Sequence, residues 1–180
     1  PSKAILYVAE VLEQVHRAAE LGLRLSFDGL DGEALDRFRA SVPDQMRRGL
    51  RGLADQRVTY IEGRGQILEP GVVEVATPDG TTQRLAGRHT VLCTGSEPAT
   101  LPFVDVDGDV VQTSDQALWF TAPPRRAVII GAGAIGMEFA SMWRPMGADV
   151  TVVEALDQPL PMEDPDSSRA IRRAFRRRGI

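Results

Sequence analysis

The chain has 180 residues, a formal net charge of −4, and apolar and charged contents of 43% and 26%, which are ordinary for a globular protein. The acidic balance argues against a general attraction to nucleic acid or to an anionic membrane. No apolar run approaches the roughly 20 residues that a membrane-spanning helix needs. The single cysteine, Cys93, cannot form an internal disulfide, and no signal-peptide pattern is visible, so we expect a reducing, cytoplasmic setting.

The first third of the chain has helical periodicity. Apolar residues recur at helical spacing over residues 4–21, which predicts a first helix. A second helix is predicted after Asp31, a suitable N-cap, with apolar positions continuing to Leu53. Pro43 falls inside this second pattern, so we expect the helix to kink or split there, with Ser41 capping its second half.

After residue 57 the pattern changes to short strands. VTYIE (residues 58–62) predicts a strand, and VVEVA and TTQRLA predict two more that flank the turn Pro78-Asp79-Gly80. HTVLCTG (residues 89–95) predicts a buried strand that ends in a glycine turn, which makes Cys93 a buried structural thiol and not a nucleophile. A short helix is predicted after Ser114, and residues 123–126, Pro-Pro-Arg-Arg, form the best candidate linker.

A glycine-rich motif follows the linker, between an apolar strand (residues 127–130) and a helix. In Gly131-Ala132-Gly133-Ala134-Ile135-Gly136, the first glycine permits a tight turn and the second lets the backbone approach a pyrophosphate. The third glycine lets the helix pack closely on the strand. The phosphates of a dinucleotide would then lie at the positive end of the helix dipole.

An acidic residue completes this pattern. Glu154 ends the next predicted strand, 18 residues after Gly136, where a ribose-binding carboxylate is expected. Such a carboxylate accepts hydrogen bonds from both ribose hydroxyls and repels a 2′-phosphate, which indicates NAD(H) and not NADP(H). A glycine turn of purely structural use is the alternative, and the combined strand, helix and acid favour the dinucleotide. The spacing leaves open whether Glu138 faces the nicotinamide end or solvent, and Pro145 is expected to shorten the helix late.

The last helix is predicted to start near Asp164 or Asp166. Ile171 and Phe175 give it an apolar stripe, and arginines cover its other face. We interpret those arginines as a solvated surface and expect no nucleic-acid binding, because the chain is acidic overall. The sequence indicates no metal site.

Taken in this order, the motifs resemble the flavoprotein disulfide reductases, and most closely the dihydrolipoyl dehydrogenase family. The resemblance covers residues 1–180 and rests on PSKAILYVAEVLE, the GRG of residues 63–65, TGSEPATLP, GAGAIGMEFASMW and VTVVEALDQPLPMEDPD. It implies an α/β fold. Residues 1–122 would be part of a Rossmann-like FAD-binding domain, and residues 123–180 the first half of a Rossmann-like NAD-binding domain.

The resemblance also implies two cofactors, FAD and NAD. By position, Lys3 would lie beside the flavin ring, Gly65 would approach the FAD adenosine, and the run Thr94, Gly95 and Ser96 would line the FAD. A cation near the flavin stabilises its anionic reduced ring, and Lys3 is the one lysine of the sequence, against 20 arginines. The residues implied for NAD are Gly131, Ala132, Gly133, Ala134, Ile135, Gly136, Met137, Glu138 and Glu154.

The implied reaction is oxidation of dihydrolipoamide through a redox disulfide and FAD, followed by hydride transfer to NAD⁺. The implied assembly is a homodimer that serves the lipoyl-bearing subunit of a 2-oxo acid dehydrogenase complex. No catalytic residue is assigned in this chain, because the family's cysteine pair directly precedes the PSK motif and its His–Glu pair belongs to a later domain. We interpret His16 and His89 as surface or strand-edge histidines. We therefore expect an internal fragment of a longer enzyme, inactive by itself and weak in FAD retention.

Two alternatives stay open. One is a non-catalytic NAD-binding module. The other is a different member of the same reductase family, such as a soluble transhydrogenase or a mercuric reductase.

Overall fold

The structure is a computed structural model of residues 1–180 that describes all of them except the side chains of residues 53–57. It divides into two compact units, one of residues Pro1–Pro43 with Thr100–Ile180 and one of residues Asp44–Ala99. Leu53, the last predicted apolar position of the second helix, lies outside the described side chains. The predicted domain boundary between residues 122 and 123 stays a prediction. In the described part of the chain, no helix is long and apolar enough to cross a membrane.

The helices and strands follow the predicted order with three exceptions, two strands that do not form and one helix that does not divide. The helices are α1 (Ser2–Arg17, continued by a 3-10 turn at Ala18–Leu21), α2 (Gly32–Arg57), α3 (Ser114–Ala117), α4 (Ala134–Trp143) and α5 (Pro165–Arg177). The strands are β1 (Arg64–Glu69), β2 (Val72–Ala76), β3 (Thr82–Ala86), β4 (Arg126–Ile130) and β5 (Asp149–Val153).

A β-α-β arrangement forms the larger unit's centre. Strands β4 and β5 are parallel, with Arg126 opposite Asp149 and Ile130 opposite Val153, and α4 connects them. Helix α4 ends at Trp143, before Pro145, as expected. The register brings both carboxyl ends of the strands to one edge, so the segments that follow β4 and β5 lie side by side.

Helix α4 is buried on two sides. Toward the strands it contributes Met137 and Ala140 to a cluster with Val150 and Phe175. On its other side Phe139 and Met142 join a second cluster, whose remaining buried members are Ile5 of α1, Leu35 of α2 and Ala117 of α3. The helix is therefore held in place from both sides, which fixes the position of its first turn.

A buried arginine joins α2 to the segment after α3. Arg39 is 1% exposed and its guanidinium donates to the carbonyl oxygens of Leu118 and Phe120. It also pairs with Asp36 and lies over the ring of Trp119, 4.7 Å from the ring centroid. Burial lowers the pKa of Arg39. The sequence analysis did not find this residue, because an arginine at one helical position gives no signal of burial.

The smaller unit contains an antiparallel sheet in the order β1-β2-β3. The β2–β3 hairpin was predicted, and its turn has Gly80 at φ +82° and the carboxylate of Asp79 accepting from the amide of Thr81 at 3.0 Å. The strand predicted at residues 58–62 is wrong, because the first strand of the sheet is β1, which starts at Arg64. Only there do residues find a partner in β2, with Gly65 opposite Val75.

The buried strand predicted at residues 89–95 is also wrong. These residues have no regular secondary structure, and the side chains of Val91 and Leu92 are 81% and 69% exposed. Cys93 is exposed as well, which contradicts the prediction of a buried thiol. A strand needs a neighbour to accept and donate its backbone hydrogen bonds, and no described strand runs beside this segment.

Helix α2 continues through Pro43, so the predicted split and the Ser41 cap are wrong. The Ser41 hydroxyl instead donates to the carbonyl oxygen of Phe38 at 2.7 Å. A proline removes one backbone donor, and here the helical turns on both sides are long enough to continue past that loss. The start of the helix agrees with the prediction, since the Asp31 carboxylate accepts from the amide of Ala34 at 3.0 Å.

Candidate functional site

The loop between β4 and α4 uses its three glycines for three different reasons. Gly131 has φ +100°, a conformation that side chains disfavour, and its amide donates to the carbonyl oxygen of Val153 at 2.8 Å. A Cβ added to Gly136 would lie 2.0 Å from the carbonyl oxygen of Gly131, so only glycine fits there. A Cβ added to Gly133 would meet nothing within 4 Å. Packing therefore does not explain Gly133, and the space before it is open to a ligand.

The first turn of α4 faces this space with unused donors. The first N–H groups of a helix have no acceptor within the helix, and in α4 these belong to Ala134, Ile135 and Gly136. Gly133 is the N-cap and offers no side-chain acceptor to them. Helix α4 has ten residues, and exposed backbone donors at its N-terminus suit a phosphate group.

Glu154 holds the loop from the end of β5. Its carboxylate accepts from the amide of Leu156 at 3.0 Å and from the amide of Ala132 at 2.7 Å. These two backbone hydrogen bonds lower the pKa of Glu154, so it is ionised at neutral pH. The sequence predicted Glu154 for the ribose, and the structure places its carboxylate directly against the glycine loop.

The segment after β5 clamps the same loop from the other side. The amide of Leu160 donates to the carbonyl oxygen of Ala132 at 2.8 Å, so the N–H and the C=O of Ala132 both form hydrogen bonds. Leu160 has φ +51°, which is strained for a leucine, and its side chain packs on the cluster that contains Phe175. The sequence analysis missed Leu160, since nothing in a leucine's neighbours indicates a left-handed backbone.

A depression of about 280 Å³ adjoins the loop. Glu154 and Ala132 line it together with Met137, and helix α5 contributes Arg172 and Arg176 to the same lining. Both arginines are exposed, as predicted, but the sequence did not indicate that they share a depression with Glu154.

Lys3 and Glu138 form an ion pair, which joins the first turn of α1 to α4. The sequence singled out both residues without connecting them and left the direction of Glu138 open. The Lys3 side chain remains 75% exposed and that of Glu138 is 31% exposed. An exposed pair of this kind contributes little to stability. Its main effect is to position the Lys3 ammonium beside α4.

The other predicted FAD residues belong to the smaller unit. Gly65 lies inside β1, and a Cβ there would contact only Val73, at an ordinary 3.7 Å. Thr94, Gly95 and Ser96 are exposed, and Gly95 has φ +84°. The space at Gly65 leaves room for an approaching group, and no contact of the chain itself requires glycine there. The roles of these four residues stay predictions.

His16 and His89, interpreted as surface or strand-edge histidines, are both exposed. Among the described side chains, no group of three or more histidine, cysteine, aspartate and glutamate residues could hold a metal ion.

Comparison with known proteins gives this arrangement a family. The family described as Pyridine nucleotide-disulphide oxidoreductase matches residues 1–180, which is the whole chain. The chain belongs to that family. A crystal structure of LpdA from Mycobacterium tuberculosis is similar to the whole chain, with a TM-score of 0.78 and 25% identity, and the match covers 40% of LpdA. This likeness confirms the predicted α/β, Rossmann-like fold class.

Two relatives of this chain carry the name dihydrolipoyl dehydrogenase. Dihydrolipoyl dehydrogenase 3 of Pseudomonas aeruginosa is 38% identical over 183 residues, covering 100% of this chain and 39% of that protein. Dihydrolipoyl dehydrogenase of Bacillus subtilis is 33% identical over 189 residues, covering 100% of this chain and 40% of that protein. The chain therefore spans about two fifths of the length of these relatives.

Proposed function

We propose that this chain supplies NAD contacts and some of the FAD contacts of a dihydrolipoyl dehydrogenase. That enzyme would oxidise dihydrolipoamide through a redox disulfide and FAD and pass a hydride to NAD⁺. The observation that carries the proposal is the carboxylate of Glu154, which the amides of Ala132 and Leu156 hold against the glycine loop. The relatives named dihydrolipoyl dehydrogenase support the choice within the family.

The dinucleotide would bind along the loop and the first turn of α4. The open space before Gly133 would take the pyrophosphate, which accepts hydrogen bonds from the N–H groups of Ala134, Ile135 and Gly136. Glu154 would accept hydrogen bonds from the ribose hydroxyls, and its negative charge favours NAD over NADP. Met137, which lines the adjoining depression, would contribute an apolar contact to the same site.

The flavin side of the proposal rests on Lys3. When bound, FAD would take two electrons from the reduced disulfide and release them to NAD⁺. Glu138 holds the Lys3 ammonium, and an exposed ammonium at this point suits a ring that becomes anionic on reduction. Gly65, Thr94, Gly95 and Ser96 would contribute further FAD contacts, as the resemblance implies. The resulting domains would be residues 1–122 for FAD and residues 123–180 for NAD.

The redox cysteines would not come from this chain. Cys93 is its one cysteine, and a disulfide needs two. We further propose that the whole protein is a cytoplasmic homodimer that receives electrons from the lipoyl-bearing subunit of a 2-oxo acid dehydrogenase complex.

A turnover assay on the purified whole protein, of which this chain would be one part, tests the proposal. We expect a flavin absorption spectrum, and NADH formation from NAD⁺ that requires dihydrolipoamide. Reduction of Hg²⁺ by NADPH, without dihydrolipoamide oxidation, would place the protein elsewhere in the family. A protein that binds NAD⁺ but contains no flavin and shows no turnover would support the non-catalytic module.

Two exposed ion pairs provide a matched test of the flavin side. Lys3→Met removes the ammonium beside Glu138, and Arg17→Met removes a comparably exposed partner of Glu20. Both substitutions should leave the melting temperature unchanged, because exposed pairs contribute little. Only Lys3→Met should slow flavin reduction, by about tenfold or more if the ammonium stabilises developing charge. Equal rates for the two variants would argue against a flavin role for Lys3.

A further inference from the structure

Four charged residues line the depression beside the glycine loop. Glu154 and Asp157 come from the end of β5 and the segment after it. Arg172 and Arg176 come from α5, where a spacing of four residues puts them on one face of the helix. Two carboxylates and two guanidiniums make the depression neutral in formal charge, whereas the ribose carboxylate considered alone would make it acidic.

The two arginines are available to a ligand. Both are exposed, and neither lies within ion-pair distance of any described carboxylate. The nearest recorded partner is the carbonyl oxygen of Asp157, 3.5 Å from Nη2 of Arg172, which is long for a hydrogen bond. Other arginines near this helix are engaged, since Arg169 pairs with Asp166 and Arg178 pairs with Glu13.

The carboxylate that shares the depression with these arginines is held in place. Both oxygens of Glu154 accept backbone hydrogen bonds, which fix its negative charge at the loop. Selectivity at the ribose 2′ position therefore depends on the other charged groups that line the depression. Guanidinium groups bind phosphate as planar, charged donors and can bond two oxygens at once.

We propose that Arg172 and Arg176 set the dinucleotide selectivity of this site, by forming a cationic wall that accepts a 2′-phosphate in the depression that Glu154 also lines. The inference rests on the proposed dinucleotide site and refines its choice of cofactor. NAD⁺ binds more tightly, because Glu154 bonds the ribose hydroxyls. NADP⁺ also binds, and its affinity falls less below that of NAD⁺ than it would in a site that had Glu154 and no arginines.

Calorimetric titration of the protein with NAD⁺ and with NADP⁺ tests this wall. The double variant Arg172→Gln/Arg176→Gln removes both charges from the depression. The control Arg173→Gln/Arg177→Gln removes two charges from exposed residues of the same helix that do not line the depression. Because a charged hydrogen bond contributes roughly tenfold in affinity, the first variant should weaken NADP⁺ about tenfold more than it weakens NAD⁺. The control should leave the ratio of the two constants unchanged.

A second pair of variants separates charge from hydrogen-bond geometry. Arg172→Lys/Arg176→Lys keeps both charges and should retain most of the NADP⁺ affinity, and Glu154→Gln should shift the ratio toward NADP⁺. If Arg172→Gln/Arg176→Gln leaves the ratio of the NAD⁺ and NADP⁺ binding constants unaltered, or if the control alters it equally, the inference is overturned. The proposed function would still stand in that case, provided that NAD⁺ binds. Failure of the unmodified protein to bind NAD⁺ would contradict the proposed function, and the inference with it.

Discussion

The two compact units differ in how completely the predicted strands find partners and the apolar residues are buried. In the unit of residues Pro1–Pro43 and Thr100–Ile180, both predicted strands pair, and α4 is buried between two apolar clusters. In the unit of residues Asp44–Ala99, Val75 is the one buried residue of the sheet, and the apolar run at residues 89–95 is solvent-exposed. A predicted strand or helix forms where other segments of the described chain pair with it or pack against it.

Glycines make the comparison sharper. Each unit contains a pair of nearby glycines of which packing requires one and does not require the other. Gly136 and Gly63 have backbone atoms where a Cβ would be, at 2.0 Å and 2.5 Å respectively. Gly133 and Gly65 have open or ordinary surroundings, and both were predicted to let the backbone approach a cofactor. If that distinction is meaningful, stability and cofactor binding should respond to different members of each pair.

The largest effect is expected at Gly136. Gly136→Ala forces a Cβ against the Gly131 carbonyl, so α4 must move from β4, at a cost of about 3 kcal/mol in the free energy of unfolding. Urea denaturation followed by circular dichroism measures this. The control Gly133→Ala should change stability by less than about 1 kcal/mol but weaken NAD⁺ binding at least about tenfold, or about 1.4 kcal/mol. If both variants lose stability equally, the distinction between the two glycines fails.

Arg39 tests whether the larger unit depends on its buried polar network. Arg39→Ala leaves the carbonyl oxygens of Leu118 and Phe120 without their donor and Asp36 without its partner, which should cost about 3 kcal/mol. Arg37→Ala removes an exposed arginine two residues away and should cost less than about 0.5 kcal/mol. Thermal melts of the two variants make the comparison. A small loss for Arg39→Ala would mean that water readily replaces the guanidinium.

Gly63 gives the corresponding test in the smaller unit, with a smaller expected effect. A Cβ there would lie 2.5 Å from the Ala76 carbonyl oxygen and 2.7 Å from a methyl of Val75, and a movable side chain can relieve part of this overlap. We expect Gly63→Ala to cost about 1 kcal/mol, seen as faster hydrogen exchange in β1 and β2. Gly65→Ala should leave exchange unchanged and lower the flavin content of the purified whole protein. Normal flavin content in Gly65→Ala would remove that residue from the proposed FAD site.

The sequence predicted most of the larger unit, because local signals there agree with each other. Turn glycines, the Asp31 cap, apolar periodicity and the acid at Glu154 each specify short-range structure, and α4 with its flanking strands follows from them. Three features escaped prediction for a different reason. Arg39, Leu160 and the Lys3–Glu138 pair depend on residues distant in sequence, so no local pattern indicates them. The exposed run at residues 89–95 shows the converse error, since an apolar run was taken to imply a strand partner.

The smallest effect concerns acid stability at Glu154. The amides of Leu156 and Ala132 lower the pKa of this carboxylate in the folded state, below the value of about 4.3 for an unperturbed glutamate. Its contribution to stability is therefore complete above about pH 4.3 and is lost as the pH falls through the lower folded pKa.

The stability difference between the wild type and Glu154→Gln should be constant near neutral pH and shrink in acid. Glu163→Gln, an exposed change in the same segment, should leave the acid limb of the curve unaltered. A difference that is independent of pH down to about pH 2 would mean that the two amides stabilise the side chain's shape and not its charge. In that case Glu154 would be a structural clamp of the glycine loop, and the ribose contact would need independent support.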